Sequence, residues 1–181
     1  MIKKKFEIEG LVVIEPRRFH DDRGYFFESF NEQKYSELLG EEAVFVQDNV
    51  SCSKKNVLRG LHFQNPPFAQ GKLVSVVKGK VLDVAVDLRK DSPTYGQHEI
   101  IELSAENGLQ FYIPPGFAHG FVALEDDTLF SYKCTNYYSP SHEDTLLWND
   151  SKLGIDWKCS APLVSEKDKI GKKIDTFVSP F

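Results

Sequence analysis

The sequence predicts an all-β domain, a sandwich or barrel with short flanking helices. Short apolar runs dominate, and Gly, Pro, Asn and Asp separate them, which is the pattern of strands joined by turns. Within several runs polar and apolar residues alternate, as strands with two different faces require. Helical spacing is confined to two short segments. The chain has 181 residues and no internal repeat, low-complexity stretch or linker, so it reads as one domain, residues 1–181, with one sizeable core.

In order, the predicted strands are Leu11–Ile14, Tyr25–Phe30, Val44–Ser51, Val57–Phe63, Lys72–Lys78, Val81–Leu88, Glu99–Leu103, Leu109–Ile113, His119–Leu124 and Thr128–Tyr137. Lys78-Gly79-Lys80 supplies a tight hairpin turn. In Val81–Leu88, Leu82, Val84, Val86 and Leu88 form one apolar face, and Asp83 and Asp87 lie opposite with Val81 and Ala85. Phe26 and Glu28 share a side of their strand. In Val44–Ser51, a polar row of Gln47, Asn49 and Ser51 backs an apolar row of Val44, Val46 and Val50. Such a row is either a solvated face or a ligand-lined lumen, and alternation does not choose. The first helix starts at the cap Asn31, gathers Tyr35, Leu38 and Leu39 on one face and stops at Gly40. Ser165-Glu166-Lys167-Asp168 has the capping-box form and predicts a second, shorter helix.

Composition excludes several function classes. Lys and Arg number 22 against 27 Asp and Glu, a net charge of −5, which is not the balance of a nucleic-acid binder. A phosphate has to be gripped by a few placed cations. No apolar run approaches the roughly 20 residues needed to cross a bilayer. Leu11-Val12-Val13-Ile14 is too short for a signal core and runs into Glu15-Pro16, so no secretory leader is expected. Cys52, Cys134 and Cys159 are odd in number, widely spaced and free of any CxxC pair. They predict reduced packing thiols in a cytoplasmic protein.

Two histidines stand where chemistry is plausible. His62 follows Arg59-Gly60-Leu61, and a glycine inside a strand marks close approach of a ligand or another backbone. Arg59 and His62 differ in parity, so either a bulge at Gly60 re-aims one of them or they serve different surfaces. His119 follows the rigid turn Pro114-Pro115-Gly116. Taken singly, each also fits a histidine satisfied by one hydrogen bond. A zinc or iron site needs about three protein ligands. His62 and His119 supply two, and Gln64 and Asp83 complete the set poorly. Lys72, Tyr132 and Asp168, read alone, are a strand-end lysine, a packing tyrosine and a solvated charge.

Pro114-Pro115-Gly116-Phe117-Ala118-His119 resembles the corner by which cupin β-barrels present an inward histidine. His62-Phe63-Gln64 stands where a metal-binding cupin carries His-x-His. From about Ile8 to Asp168 the chain resembles the nucleotide-sugar 3,5-epimerases that act on dTDP-4-dehydro-6-deoxyglucose, the dTDP-4-dehydrorhamnose 3,5-epimerase family. Several motifs carry the resemblance together. They are Phe19-His20-Asp21-Asp22-Arg23-Gly24-Tyr25-Phe26 with Glu28; Gln47-Asp48-Asn49; Leu58-Arg59-Gly60-Leu61-His62-Phe63-Gln64; Gly71-Lys72; Ile113 to Phe121; Tyr132 to Pro140; Glu143; Trp148-Asn149-Asp150; and Ser165-Glu166-Lys167-Asp168.

The resemblance implies a metal-independent, cupin-like jelly roll (a double-stranded β-helix), a homodimer with sites shared between subunits, and no cofactor. It implies that His62 is the proton acceptor, Asp168 its orienting partner, Tyr132 the proton donor on the other face of the sugar, and Lys72 the neighbour of the 4-keto oxygen. It implies substrate contacts from Arg23, Glu28, Gln47, Asp48, Asn49, Arg59, His119, Glu143 and Lys167, with Phe26 stacking on thymine. Because N-terminal strands in this family pack on the partner, some of Arg23, Phe26 and Glu28 are expected to serve the neighbouring site. Inversion at C3 or C5 alone on the same or a related nucleotide sugar, a metal-dependent cupin, and a non-catalytic sugar-nucleotide-binding module are the competing readings.

Overall fold

The computed structural model describes residues 2–40 and 43–181. Its strands are β1 (Ile2–Lys5), β2 (Val12–Glu15), β3 (Phe19–Asp21), β4 (Gly24–Phe26), β5 (Gln47–Ser53), β6 (Val57–Gln64), β7 (Lys72–Lys78), β8 (Lys80–Asp87), β9 (His98–Ser104), β10 (Gln110–Ile113), β11 (Phe117–Ala123), β12 (Thr128–Cys134), β13 (Glu143–Thr145) and β14 (Leu163–Val164). Two helices, α1 (Glu32–Leu39) and α2 (Glu166–Lys169), flank them. One sheet runs β1-β2-β10-β7-β12-β5, and the other runs β13-β6-β11-β8-β9 with β14 on β6. β3 and β4 form a separate hairpin. This is the expected jelly-roll architecture.

Period-two alternation decides what lies where. Val74 and Val76 of β7, Phe111 and Ile113 of β10, Phe130 of β12, Val81 and Ala85 of β8, and Phe117 and Phe121 of β11 meet between the sheets. Burying one such aromatic side chain fully contributes about 2–3 kcal/mol. The opposite face of β8, Val84, Val86 and Leu88, packs under Leu146, Leu153, Trp157 and Phe177. The segment after β13 therefore lids the second sheet, and residues 169–181, which carry no recognisable motif, contribute Phe177 and Phe181 to this packing. On the first sheet, Val12, Ile14, Leu73 and Tyr112 are covered by Tyr35 of α1 and by Ala43. Asn31 caps α1 by accepting the Lys34 N–H at 3.2 Å.

Several expectations need correction. Strand β5 begins at Gln47 rather than Val44, and its apolar row is the outward one: Val44, Val46 and Val50 are exposed. Gln47, Asn49 and Ser51 turn inward, so the polar row belongs to the lumen. The strand expected at Tyr25–Phe30 shrinks to Gly24–Phe26 and pairs with β3 in a solvent-exposed hairpin. Strand β12 stops at Cys134 rather than reaching Tyr137. Strands β1, β3, β13 and β14 are too short or too polar to show an alternation.

Candidate active site

One irregular strand gathers the first side chains. On β6, Leu58 and Leu61 both pack into the outer cluster, while Arg59 and His62 both line the inner cavity. A regular strand cannot place residues three apart on one face. Gly60 absorbs the extra residue: pairing with β11 shifts register between His119–His62 and Phe121–Arg59, and Gly60 has φ +140°, which L side chains rarely adopt. Of the two alternatives open in the sequence, the bulge is the one found. A Cβ on Gly60 would lie 2.5 Å from Gly120 Cα, so the two strands touch backbone to backbone here.

His62 Nε2 lies 2.5 Å from Asp168 Oδ1. The route that brings them together is local. Strand β14 adds in parallel to β6 at Val57 and Leu58, and Ser165 then caps α2 by accepting the Asp168 N–H at 3.2 Å. Asp168 is buried, and its Oδ2 accepts the Gly60 N–H at 3.4 Å. Burial pushes the Asp168 carboxyl up, but hydrogen bonding to His62, the His62 charge, the Gly60 N–H and Ser165 outweigh it and hold it below the usual carboxylate range. Asp168 is thus a carboxylate at neutral pH, suited to hold one tautomer of His62. Nδ1 of that ring bonds to no described residue.

His119 sits opposite His62 on the neighbouring strand. Its Nε2 lies 3.0 and 2.9 Å from the two carboxylate oxygens of Asp83, and both residues are buried. Burial lowers the His119 pKa against the pull of Asp83, and Lys72 and His62 lower it further. The sequence treated Asp83 only as a poor metal ligand. Its inward parity on β8 was the signal that it belongs to the lumen.

The facing sheet supplies the other wall. Tyr132 on β12 is paired with Val74 and Asn49, and Lys72 on β7 lies across from Cys134. Lys72 forms no ion pair with any described residue. Burial lowers its pKa, with Cys134, Asp83 and Glu143 acting against that. The Tyr132 hydroxyl has no hydrogen-bond partner among the described residues, and burial raises its pKa. His62, Asp168, His119, Arg59, Lys72, Tyr132 and Lys167 line one cavity of about 330 Å³. Among the described residues, no group of three or more His, Cys, Asp or Glu side chains converges as a metal cluster.

Polar groups continue around the rim. Arg59 donates through Nε to Ser53 Oγ at 3.1 Å and through Nη2 to the Cys52 carbonyl at 3.4 Å. Lys167 pairs with Glu143, which accepts the Tyr138 hydroxyl at 2.8 Å. Burial raises the Glu143 carboxyl, and Lys167 and Tyr138 more than reverse it. The Tyr138 N–H donates to Gln47 Oε1 at 3.0 Å, and Gln47 Nε2 donates to Asn49 Oδ1 at 3.2 Å. Tyr138 is a rim residue the sequence reading did not single out. It lies in the Tyr132-to-Pro140 motif, but nothing in its spacing shows which way it turns.

Of the expected contacts, Arg59, His119 and Lys167 line the cavity, Gln47, Asn49 and Glu143 belong to the network around it, and four others lie apart. Asp48 sits on the outward face of β5 and pairs with Lys133 at 2.9 Å, because parity with Gln47 and Asn49 turns it away. Arg23 pairs with Asp21 at 2.5 Å on the exposed hairpin. Phe26 is 72 % exposed. Glu28 pairs with Lys34 at 2.7 Å beside α1. Tyr25 of the hairpin faces Leu73, Ser75 and Val77 on the outer side of the first sheet, and none of Arg23, Phe26 and Glu28 lines the cavity of His62.

Residues 5–176 match the family model described as dTDP-4-dehydrorhamnose 3,5-epimerase. The chain belongs to this family. The dTDP-4-dehydrorhamnose 3,5-epimerase of Salmonella typhimurium is 55% identical over 97% of this chain and 96% of its own length. The crystal structure of a dTDP-6-deoxy-D-glucose-3,5-epimerase from Legionella pneumophila, in complex with dTDP-4-keto-L-rhamnose, superposes with a TM-score of 0.94. It is 48% identical, covering 98% of this chain and 94% of that one. ChmJ, a 3'-monoepimerase from Streptomyces bikiniensis solved with dTDP-quinovose, is 34% identical with a TM-score of 0.90, over 94% of this chain and 87% of its own. The epimerase fold thus accommodates more than one stereochemical outcome.

Proposed function

We propose that this family member inverts C3 and C5 of dTDP-4-dehydro-6-deoxy-D-glucose to give dTDP-4-dehydro-L-rhamnose, for dTDP-L-rhamnose synthesis. The substrate carries a ketone at C4, and the hydrogens on C3 and C5 are both α to it, so one enolate strategy serves both carbons. A base takes the proton from one face, and an acid returns a proton to the other. A single group on one side would only restore the starting isomer. The observation that carries the reading is the division of groups between walls: His62 on one sheet, backed by Asp168 of α2, and Tyr132 with Lys72 on the other.

His62 accepts the α-proton and becomes imidazolium, which Asp168 stabilises. The negative charge moves to the C4 oxygen, where the Lys72 ammonium meets it. Tyr132 then protonates the carbon from the opposite side and recovers a proton from solvent as the His62 imidazolium releases one to it. Arg59 and Lys167 are the cations placed for the diphosphate, with Gln47, Asn49, His119 and Glu143 completing the contacts. Identity favours the double inversion, because the 55% and 48% identical proteins are 3,5-epimerases while the mono-epimerase is 34% identical.

The functional unit is a homodimer. Val50 and Val77 stand 69 % and 62 % exposed on the outer face of the first sheet, and Val77 shares a pocket with Tyr25 of the hairpin that carries Arg23 and Phe26. Docking a second copy on that face buries those valines and delivers Arg23, Phe26 and Glu28 to the partner's cavity, with Phe26 against thymine. The three unpaired cysteines fit a cytoplasmic location. Among the described residues no helix is long and apolar enough to cross a membrane.

Incubation of the chelator-treated protein with the 4-keto sugar nucleotide in deuterated water, followed by NMR, tests the reaction. Deuterium at both C3 and C5 with formation of the L-sugar is expected. Deuterium at one carbon would make it a mono-epimerase, and exchange only after adding metal would replace the imidazole mechanism.

A further inference from the structure

We propose that the Ser51 hydroxyl is a substrate-positioning contact, which hydrogen-bonds a ring hydroxyl of the 4-keto sugar and fixes the ring's placement against Tyr132. The inference rests on the epimerase reading and adds to it a residue that sets which carbons are reached. Four polar side chains form the inward row of β5: Gln47, Asn49, Ser51 and Ser53. Three have partners within the chain. Gln47 bonds Asn49 and the Tyr138 N–H, Asn49 bonds Cys134 Sγ, and Ser53 accepts from Arg59. In this row only Ser51 Oγ is buried with no hydrogen-bond partner among the described residues. Buried hydroxyls are paired in the great majority of cases, and an exception calls for an explanation.

Its position supplies one. Ser51 lines the cavity that holds His62, Lys72 and Tyr132. Along β12 it pairs with Phe130, two residues from Tyr132, and along β5 it lies between Asn49, which pairs with Tyr132, and Ser53, which holds Arg59. The hydroxyl thus falls between the proposed acid and a proposed diphosphate cation, where the sugar ring has to lie if its phosphate meets Arg59. Serine has one side-chain torsion, so a single rotation aims the oxygen at a ligand. A hydroxyl both donates and accepts, so it suits a sugar hydroxyl on either side of inversion.

The Ser51→Ala and Ser51→Thr variants test this. Wild-type turnover in deuterated water is the reference, and its absence would remove the epimerase reading itself. For Ser51→Ala we expect kcat/KM to fall about five- to tenfold, the scale of one lost hydrogen bond, and the ratio of deuterium incorporated at C3 to that at C5 to change. The melting temperature of the free protein should not drop, because alanine removes an unpaired buried oxygen. Ser51→Thr keeps the hydroxyl and should return the ratio to that of the wild type. Wild-type kinetics and ratio in Ser51→Ala would overturn the proposal. So would equal losses in both variants accompanied by a lowered melting temperature, which would make Ser51 a packing residue.

Discussion

At the scale of single residues, the proposed mechanism depends on keeping two proton-transfer groups in different states. His62 has to stay available as a base, and Asp168 secures that by remaining ionised against its own burial. Tyr132 has to arrive protonated, and its burial raises the pKa in that direction. His62→Ala should therefore lower kcat by ~10²–10⁴-fold, the usual contribution of a positioned base. Tyr132→Phe should lose product by a similar factor while still exchanging α-hydrogens with deuterated water, because abstraction precedes donation. The role proposed for Lys72 predicts a pH limit. Burial lowers its pKa, and only the ammonium stabilises an enolate oxygen, so activity should fall as pH rises through that lowered value, below the ordinary lysine value of about 10.4. In Lys72→Arg the guanidinium stays charged, so the residual activity should keep a flat alkaline limb. A pH–kcat profile of both proteins checks this, and an unmoved alkaline limb would assign it to another group.

At the scale of elements, β6 shows how much one glycine controls. Gly60 combines φ +140° with contact to Gly120, and it is the residue that turns Arg59 and His62 to one side. Gly60→Ala should destabilise the fold by roughly 1–3 kcal/mol through overpacking and also cut activity, read by urea denaturation beside turnover. The loop after β8 makes an acid-stability prediction. Burial raises the Asp87 carboxyl, but bonds from Arg89, Ser92 and Thr94 more than reverse it and bring the pKa down to about 2. A folded pKa below the unfolded value of about 3.9 gives stability that is complete above pH 4 and lost as pH falls toward 2. Asp87→Asn should remove ~2 kcal/mol at neutral pH and flatten the acid limb between pH 4 and 2. The legibility of these elements follows their chemistry. Long strands such as β8 were readable because four apolar residues alternate without interruption, and α1 because cap, face and stop agree. The inward aim of His62 was not, since a bulge breaks the parity that carries the information, and the polar row of β5 was ambiguous because a lumen and a solvated face demand the same residues. Lys72, Tyr132 and Asp168 came from resemblance, as nothing local distinguishes them from ordinary surface and packing residues.

At the scale of the whole molecule, each barrel looks unfinished in two places that answer each other. The outer face of the first sheet leaves Val50 and Val77 open to water, and the β3–β4 hairpin presents Phe19, Tyr25 and Phe26 at 52 %, 52 % and 72 % exposure. Apolar area of this kind marks an interaction surface. The cavity around His62 is lined by the aromatics Phe121, Phe130 and Tyr132 and the cations Arg59, Lys72 and Lys167, and neither Arg23 nor Phe26 of the same chain reaches it. A two-fold pairing repairs both defects at once, since each copy then uses the other's hairpin. That arrangement makes a prediction separable from any single-chain mechanism. Arg23→Ala and His62→Ala subunits should each form inactive or weakened dimers alone. Refolded together in equal amounts, half of the dimers are mixed, and in each of those one cavity combines an intact His62 with an intact Arg23. Activity should recover to about a quarter of wild type, as random two-fold pairing requires. Sites complete within one chain would instead give no more than the average of the two parents.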